Sequence, residues 1–170
     1  RQRQMCIRDS HSRAYISGAF SNCTSLTTIP EKLFAHNPEV TNFYGTFQSC
    51  TSLKSIPENL FANCPKATDF SFTFFGCKAL TAIPEGLFAN NPKVTIFQGT
   101  FSYCSALKSL PANLFANNSA VTDFFQTFAG CSSLESIPEQ LFAHNPNVTD
   151  FQGTFKSCSA LTSICLLYTS

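Results

Sequence analysis

The chain has 170 residues, of which 44% are hydrophobic and 12% are charged, and its formal net charge at pH 7 is +1. It contains no basic run and no basic stripe, which argues against nucleic acid as a partner. No segment approaches the about 20 consecutive apolar residues that a membrane-spanning helix requires, so we expect no membrane insertion of this segment.

Both ends of the chain differ from everything between them. Residues 5–10 read MCIRDS and residues 165–170 read CLLYTS. These strings match translations of one transposon end used to prepare sequencing libraries, read forward in the first case and as its reverse complement in the second. We therefore assign residues 1–10 and 165–170 to library adapter and exclude them from fold reasoning. Residues 11–164 remain as one repeat domain, which we expect to be a fragment.

The region between these ends is an internal repeat. A cysteine recurs every 27 residues without insertion or deletion, at Cys23, Cys50, Cys77, Cys104, Cys131 and Cys158. Five full repeats therefore span residues 23–157, and positions 1 to 27 are counted here from each cysteine. Because one such unit cannot bury its apolar side alone, the pattern predicts coils that stack into a solenoid.

Each repeat has two similar halves, L-x-x-I-P-x-x-L-F and V-T-x-F-x-x-T-F. Proline lacks an N–H and suits the first position of a helix, so we expect a short strand to end near Ile29 and a helical turn to start at Pro30. Val40 and Phe43 predict a strand in the second half, followed by another helical turn. The fold class is thus an α/β repeat with short parallel strands, and its core is mostly phenylalanine.

The ionisable columns allow two interpretations. The cysteine column would be either disulfide-stapled or metal-binding, or a stack of buried thiols. We favour buried thiols because no C-x-x-C pair and no histidine accompanies the column. The carboxylates at position 9 and position 20 would form a cation site, or they would support helix and turn starts, which already explains both columns. We therefore predict no catalytic residue, no cofactor and no metal.

Two sets of variable residues are candidates for binding. Position 5 lies on the first predicted strand, and a strand-lined surface of a solenoid can vary without harming the core. Aromatic residues outside the core columns suggest a second patch, with local packing between coils or contact with a neighbouring domain as the alternatives. The first set is Thr27, Lys54, Thr81, Lys108 and Glu135, and the second is Tyr44, Phe72, Phe75, Tyr103 and Phe125.

The repeat resembles a known family. Residues 148–164, VTDFQGTFKSCSALTSI, and residues 40–57, VTNFYGTFQSCTSLKSIP, are similar to BspA-type leucine-rich repeat surface proteins of bacteria. The shared features are the V-T-x-aromatic step, the G-x-F turn and C-x-x-L-x-x-I. The likeness covers residues 16–164, although the P-E-x-L-F-A-x-N-P insert makes this unit longer. It implies a right-handed leucine-rich-repeat-like solenoid that is extracellular or at the cell surface.

The resemblance also implies adhesion or binding to a host protein, and it supplies no catalytic residue. The expected function is therefore a non-catalytic, surface-exposed binding or adhesion module that recognises an unknown host protein or glycan. The alternatives are a structural spacer, or a targeting appendage of a larger protein that carries an enzymatic domain elsewhere. An intracellular scaffold is a further alternative, which unpaired cysteines would favour.

Overall fold

The computed structural model describes residues 16–162 as a stack of 27-residue coils. Backbone hydrogen bonds join residues that lie 26 or 27 positions apart along the chain, which places the same position of neighbouring coils side by side. The solenoid predicted from the repeat is therefore present. The two segments assigned to library adapter, 1–10 and 165–170, lie outside the described residues.

Regular secondary structure is nearly absent from residues 16–162, which contain no helix and no strand longer than an isolated bridge. The expected short parallel strands are reduced to single parallel bridges, and the expected helical turns are tight turns instead. No helix in this range is long or apolar enough to cross a membrane. The bridges link position 20 of successive coils, in the order Asn42, Asp69, Ile96, Asp123 and Asp150.

The second half of each coil divides its amide groups between two tasks. Phe43, Gly45, Phe47 and Ser49 donate their N–H groups to carbonyl oxygens of the next coil at 2.7–2.9 Å. The N–H groups of Thr46, Gln48 and Cys50 instead donate to the carbonyl three residues earlier, at 3.0–3.2 Å. A helix would use all of these N–H groups within itself. This segment cannot be helical because every second amide is needed between coils.

That division requires left-handed backbone at two positions of each coil. Gly45 has a φ of 57° and Ser49 a φ of 59°, and the equivalent residues of the other coils are also positive. A residue with positive φ interrupts a right-handed helix and turns the next amide outward. The positions are 23 and 27, occupied by Gly45, Phe72, Gly99, Gln126 and Gly153, and by Ser49, Gly76, Tyr103, Gly130 and Ser157.

The first half of the coil is built from tight turns as well. After Pro30, the N–H of Leu33 donates to the Pro30 carbonyl at 3.1 Å, and the N–H of Ala35 donates to the Lys32 carbonyl at 3.2 Å. These bonds span three residues, whereas an α-helix spans four. Proline therefore starts a turn here, as its missing N–H predicts, but the chain does not continue into a helix.

The core consists of three phenylalanine columns that run along the stack. Equivalent rings of neighbouring coils lie nearly parallel, as in Phe43–Phe70 with centroids 5.1 Å apart and Phe47–Phe74 at 5.5 Å. The third column inserts between the other two, and the Phe61 ring meets those of Phe43 and Phe70 edge-on at 4.7 Å. The phenylalanine core expected from the sequence is confirmed.

A polar side chain of the next coil caps the carbonyl of each core phenylalanine. Thr73 Oγ1 donates to the Phe43 carbonyl at 2.9 Å and Cys77 Sγ to the Phe47 carbonyl at 3.3 Å. Asn91 Nδ2 donates to the Phe61 carbonyl at 3.1 Å. Threonine, cysteine and asparagine therefore form three ladders of equivalent geometry, each 30 residues downstream of the carbonyl it caps.

The buried rings should dominate stability. Phe97 is fully buried and touches four other rings, so Phe97→Ala should lower the free energy of unfolding by roughly 3–5 kcal/mol. Phe151 occupies the same column but is 43% exposed, and Phe151→Ala should cost clearly less. Urea unfolding followed by circular dichroism measures both. Equal losses would contradict a core centred on these columns.

Candidate functional site

The position 5 residues form one exposed row along the stack. Lys54 N–H donates to the Thr27 carbonyl at 3.2 Å, and Glu135 N–H donates to the Lys108 carbonyl at 3.2 Å, so the backbone joins neighbours. All five side chains, those of Thr27, Lys54, Thr81, Lys108 and Glu135, are exposed. The row lies where the sequence places it, although its backbone is not a strand.

Four of the five candidate aromatics form a second surface, named here the aromatic ribbon. The Tyr44 ring meets Phe72 edge-on with centroids 5.5 Å apart, Phe72 meets Phe75 at 5.8 Å, and Phe75 meets Tyr103 at 5.3 Å. Tyr44 is 47% exposed and Tyr103 is 55% exposed, whereas Phe72 and Phe75 are half-buried. The ribbon thus crosses three consecutive coils without a gap.

Two glycines form the floor of the aromatic ribbon. A Cβ atom on Gly99 would lie 2.5 Å from the Phe72 ring, and one on Gly130 would lie 2.7 Å from the Tyr103 ring. Such distances are far inside van der Waals contact, so each ring lies directly over the glycine of the next coil. Phe72 and Tyr103 themselves have φ values of 55° and 59°, which are strained for bulky residues.

Phe125 is not part of the ribbon. It is half-buried at position 22, and within residues 16–162 no ring contact joins it to the other aromatic candidates. Its N–H donates to Asp123 Oδ1 at 2.6 Å, so its backbone is fixed by the turn at position 20. The structure therefore brings together four of the five aromatic residues singled out from the sequence.

Three glutamines occupy the segment at positions 22 to 27 in the first, third and fourth coils. Gln48, Gln98 and Gln126 are half-buried, and their side-chain amides make no hydrogen bond to any of the described residues. Gln48 Oε1 lies near the Cα of Gly45, and Gln126 lies against Gly153 of the fifth coil. Because these amides are partly exposed, water or a ligand can satisfy them.

The cysteine column is a set of buried thiols from Cys50 onward, whereas Cys23 is half-buried, and Cys64 at position 15 is buried as well. Cys50, Cys64, Cys77, Cys104, Cys131 and Cys158 are free, and burial raises the pKa of each from its usual value of 9.0. The pKa of Cys77 reaches about 12, with the neighbouring Cys50 as a smaller cause. A neutral thiol neither attacks an electrophile nor binds a metal. The interpretation as buried structural thiols is confirmed for these residues.

The aspartates at position 20 close a turn. Asp69 Oδ1 accepts the N–H of Ser71 at 2.7 Å, and Asp150 Oδ1 accepts the N–H of Gln152 at 2.7 Å. This local bond is the usual role of aspartate before a turn. The glutamates at position 9 are exposed and, since no helix follows them, have no helix terminus to support. Within residues 16–162 no group of three ionisable residues could hold a metal ion.

The buried asparagine ladder at position 15 was not singled out from the sequence. Asn91, Asn118 and Asn145 donate through Nδ2 to two carbonyls of the preceding coil, for example Asn118 to Phe88 and Asn91 at 3.1 and 2.9 Å. Their Oδ1 atoms are buried without a partner among the described residues. The signal is visible in retrospect, because each asparagine follows a core phenylalanine by three residues, as the threonines and cysteines do.

The comparisons with known proteins identify the fold. No protein-family model matches the sequence, and no curated protein matches it. Among solved structures the chain is similar to one from the Toll–Spatzle complex of Drosophila, with 22% identity over 78% of this chain and a TM-score of 0.51. It spans 19% of that protein's length. This likeness shows the leucine-rich-repeat solenoid fold.

Two further structures are similar at lower scores. The leucine-rich repeat domain of APL1B is 16% identical over 79% of this chain and 41% of its own, with a TM-score of 0.34. A leucine-rich cell surface protein of Faecalibacterium prausnitzii A2-165 is 20% identical over 87% of this chain and 68% of its own, with a TM-score of 0.21. The fold assignment therefore rests on the first structure, and the right-handed coil and the BspA-type affiliation stay predictions.

The buried thiols predict a loss of stability at alkaline pH. Unfolded thiols ionise near 9.0, whereas Cys64 in the folded chain stays neutral until about 12. The unfolded state therefore loses protons first, and the free energy of unfolding should fall as the pH rises above about 9. Cys64→Asn restores the residue found elsewhere at position 15 and should make this fall less steep. Urea midpoints between about pH 8 and pH 11 measure it, and identical slopes would contradict the burial.

Ile96 interrupts the polar column at position 20 and offers a second test. Asn42, at the same position, accepts the N–H of Tyr44 at 2.7 Å and donates to Asp69 Oδ2 at 2.9 Å. Asparagine at 96 would make the same two bonds, to Gln98 N–H and to Asp123. Ile96→Asn should therefore be more stable than its isosteric control Ile96→Leu by about 1 kcal/mol in thermal unfolding. A less stable asparagine variant would refute this turn geometry.

Proposed function

We propose that the chain is a non-catalytic, surface-exposed binding module of the leucine-rich-repeat class that recognises a host protein or glycan. The observation that carries this proposal is the aromatic ribbon, which is partly exposed although the core needs none of its members. The three phenylalanine columns and their polar caps repeat in coils that carry other residues at the ribbon positions, such as Ser71 for Tyr44, Gly45 for Phe72, Gln48 for Phe75 and Ser49 for Tyr103. The ribbon residues are thus additions to a fold that is complete without them.

The ionisable columns already have structural roles. The buried thiols of residues 50–158 are neutral, and Asp69 and Asp150 at position 20 each accept a turn amide through Oδ1. His36 and His144 are exposed and four coils apart, so they cannot share a site. The row at position 5 and the aromatic ribbon are exposed and vary between repeats, so both are suited to contact with a partner.

The regularity of the stack favours one alternative, a structural spacer. Continuous ladders make a rod of fixed length, and a rod can hold another domain away from a surface without binding anything. A targeting appendage of a larger enzyme is also compatible with the fold. Both alternatives differ from the proposal in one respect, since neither requires the ribbon to touch a ligand.

The test uses variants that copy the chain's own repeats. Tyr44→Ser reproduces Ser71 at position 22, and Tyr103→Ser reproduces Ser49 at position 27, so this double variant should fold. The matched control is Lys54→Thr with Lys108→Thr, which reproduces the threonines at position 5. Both variants and the parent chain are immobilised and exposed to purified extracellular-matrix proteins and to a glycan panel.

We expect the parent to bind at least one ligand and the ribbon variant to bind it at least tenfold more weakly. Loss of two exposed aromatic side chains at the centre of an interface typically costs more than about 2 kcal/mol, which exceeds tenfold. The position 5 control should retain the affinity. If no ligand binds the parent, the spacer becomes the better account. If only the position 5 control loses affinity, the binding site is the charged row instead.

A further inference from the structure

We infer that the aromatic ribbon and the amides beside it bind an extended, uncharged glycan. This inference rests on the proposed function, because it names the ligand class of the same binding module. Four features of this surface carry it: its lack of charge, the spacing and exposure of its rings, its unpaired amides and the strain of its backbone.

The segment that carries the ribbon is uncharged in the first four repeats. Positions 22 to 27 hold no acidic residue in any of the five repeats and a single basic one, Lys156, in the last. The segments read YGTFQS, SFTFFG, QGTFSY, FQTFAG and QGTFKS. The charges that flank it along the chain are of both signs, with Asp69 and Asp123 bound to turn amides and Lys78 exposed. The ribbon itself thus offers no charge to an anionic chain or a charged peptide, whereas a neutral polyhydroxylated chain requires none.

The ring spacing suits a chain of sugars. Equivalent core rings of neighbouring coils lie 5.1 to 6.1 Å apart, so the ribbon from Tyr44 to Tyr103 advances by two coil steps. One pyranose unit is about as long as one such step, and the C–H faces of pyranoses pack on aromatic rings. Tyr44 and Tyr103, each about half exposed at the two ends, are therefore placed to stack on sugars two or three units apart.

The segment that carries the rings also holds groups that could bond to the hydroxyls of a sugar. The side-chain amides of Gln48, Gln98 and Gln126 have no partner among the described residues, and neither do the phenol groups of Tyr44 and Tyr103. Each amide offers both a donor and an acceptor, as does each phenol, which matches the dual character of a hydroxyl. Stacking rings edged by such groups are typical of sites that orient a small polar ligand.

The backbone favours a glycan over an added peptide strand. A peptide that pairs with a sheet edge needs unpaired N–H and carbonyl groups. The alternate N–H groups of 43–49, 70–76 and 97–103 are already used between coils, so the ribbon offers side chains rather than an edge. A glycan binds through side chains alone, which is what this surface presents.

The strain at two ribbon residues points to selection for a ligand. Phe72 and Tyr103 occupy left-handed positions where other coils place glycine, serine or glutamine with the same backbone. A bulky residue with positive φ is unfavourable, and such strain clusters at ligand-binding sites. The three core columns form without an aromatic ring at these positions in the other coils.

The experiment measures binding of the full chain to cellohexaose, chitohexaose, xylohexaose and mannohexaose by isothermal titration calorimetry. A heparin hexasaccharide is the anionic probe and a proline-rich decapeptide is the peptide probe. The variants are Tyr44→Ser, Phe75→Gln and Tyr103→Ser, each copying another repeat at its position, with Tyr103→Phe to keep the ring. Lys93→Asn is the control, because it copies Asn147 at position 17 and lies outside both candidate surfaces, and thermal unfolding verifies that every variant folds.

We expect at least one neutral hexasaccharide to bind and each ring-removing variant to weaken it tenfold or more. Tyr103→Phe should retain most of the affinity, the Lys93→Asn control should bind as the parent does, and heparin should not bind. Binding that ribbon variants leave unchanged would overturn the inference, as would preference for the peptide or heparin. If no glycan binds but a matrix protein does, the inference fails while the proposed function stands. If neither binds, both fail.

Discussion

The interface between coils is the constraint on which the rest of the structure depends. Each coil must form the hydrogen bonds of its own turns and also pair with the next coil. It does both because successive N–H groups donate alternately within the coil and to the next coil. The carbonyls of the core phenylalanines accept a third kind of bond, from threonine, cysteine or asparagine side chains 30 residues later. Because all these bonds require fixed register, a single inserted residue would break every ladder at once. This requirement explains why the repeat period is 27 residues throughout the sequence.

The same constraint decides which ionisable groups are available for function. Cysteine can serve in the ladder because a neutral thiol is a small donor that fits beneath a phenylalanine carbonyl. Cys64 shows that the ladders accept related donors, since its thiol approaches the Asn37 carbonyl at 3.5 Å where asparagine stands in other coils. Burial that keeps these thiols neutral also removes them from chemistry. The positions that stay accessible to a partner are therefore the exposed ones outside the ladders.

The sequence predicts the large features of this fold and misses the local conformation. The repeat period, the solenoid, the phenylalanine core and the buried thiols all follow from spacing and residue type. Proline at position 8 correctly predicts the start of a turn, but an apolar segment after proline reads as a helix when it is considered alone. The deciding information is the left-handed backbone at Gly45 and Ser49, whose amide partners are 26 residues away. The contacts among four of the five aromatic candidates also depend on the stack, because it brings different positions of neighbouring coils together.

A steric rule explains why no two residues of the ribbon occupy the same column. A side chain at position 23 or 27 leans over the same position of the next coil, so a large residue there requires glycine in that coil. Phe72 lies over Gly99, and Tyr103 lies over Gly130, at distances that leave no room for a Cβ atom. Two large aromatics cannot therefore follow each other in either column. A continuous aromatic surface must therefore change column as it passes from coil to coil, and the chain does so by placing Tyr44, Phe72, Phe75 and Tyr103 at positions 22, 23, 26 and 27. The glycines at 99 and 130 are thus part of the surface, because they determine where its rings can lie.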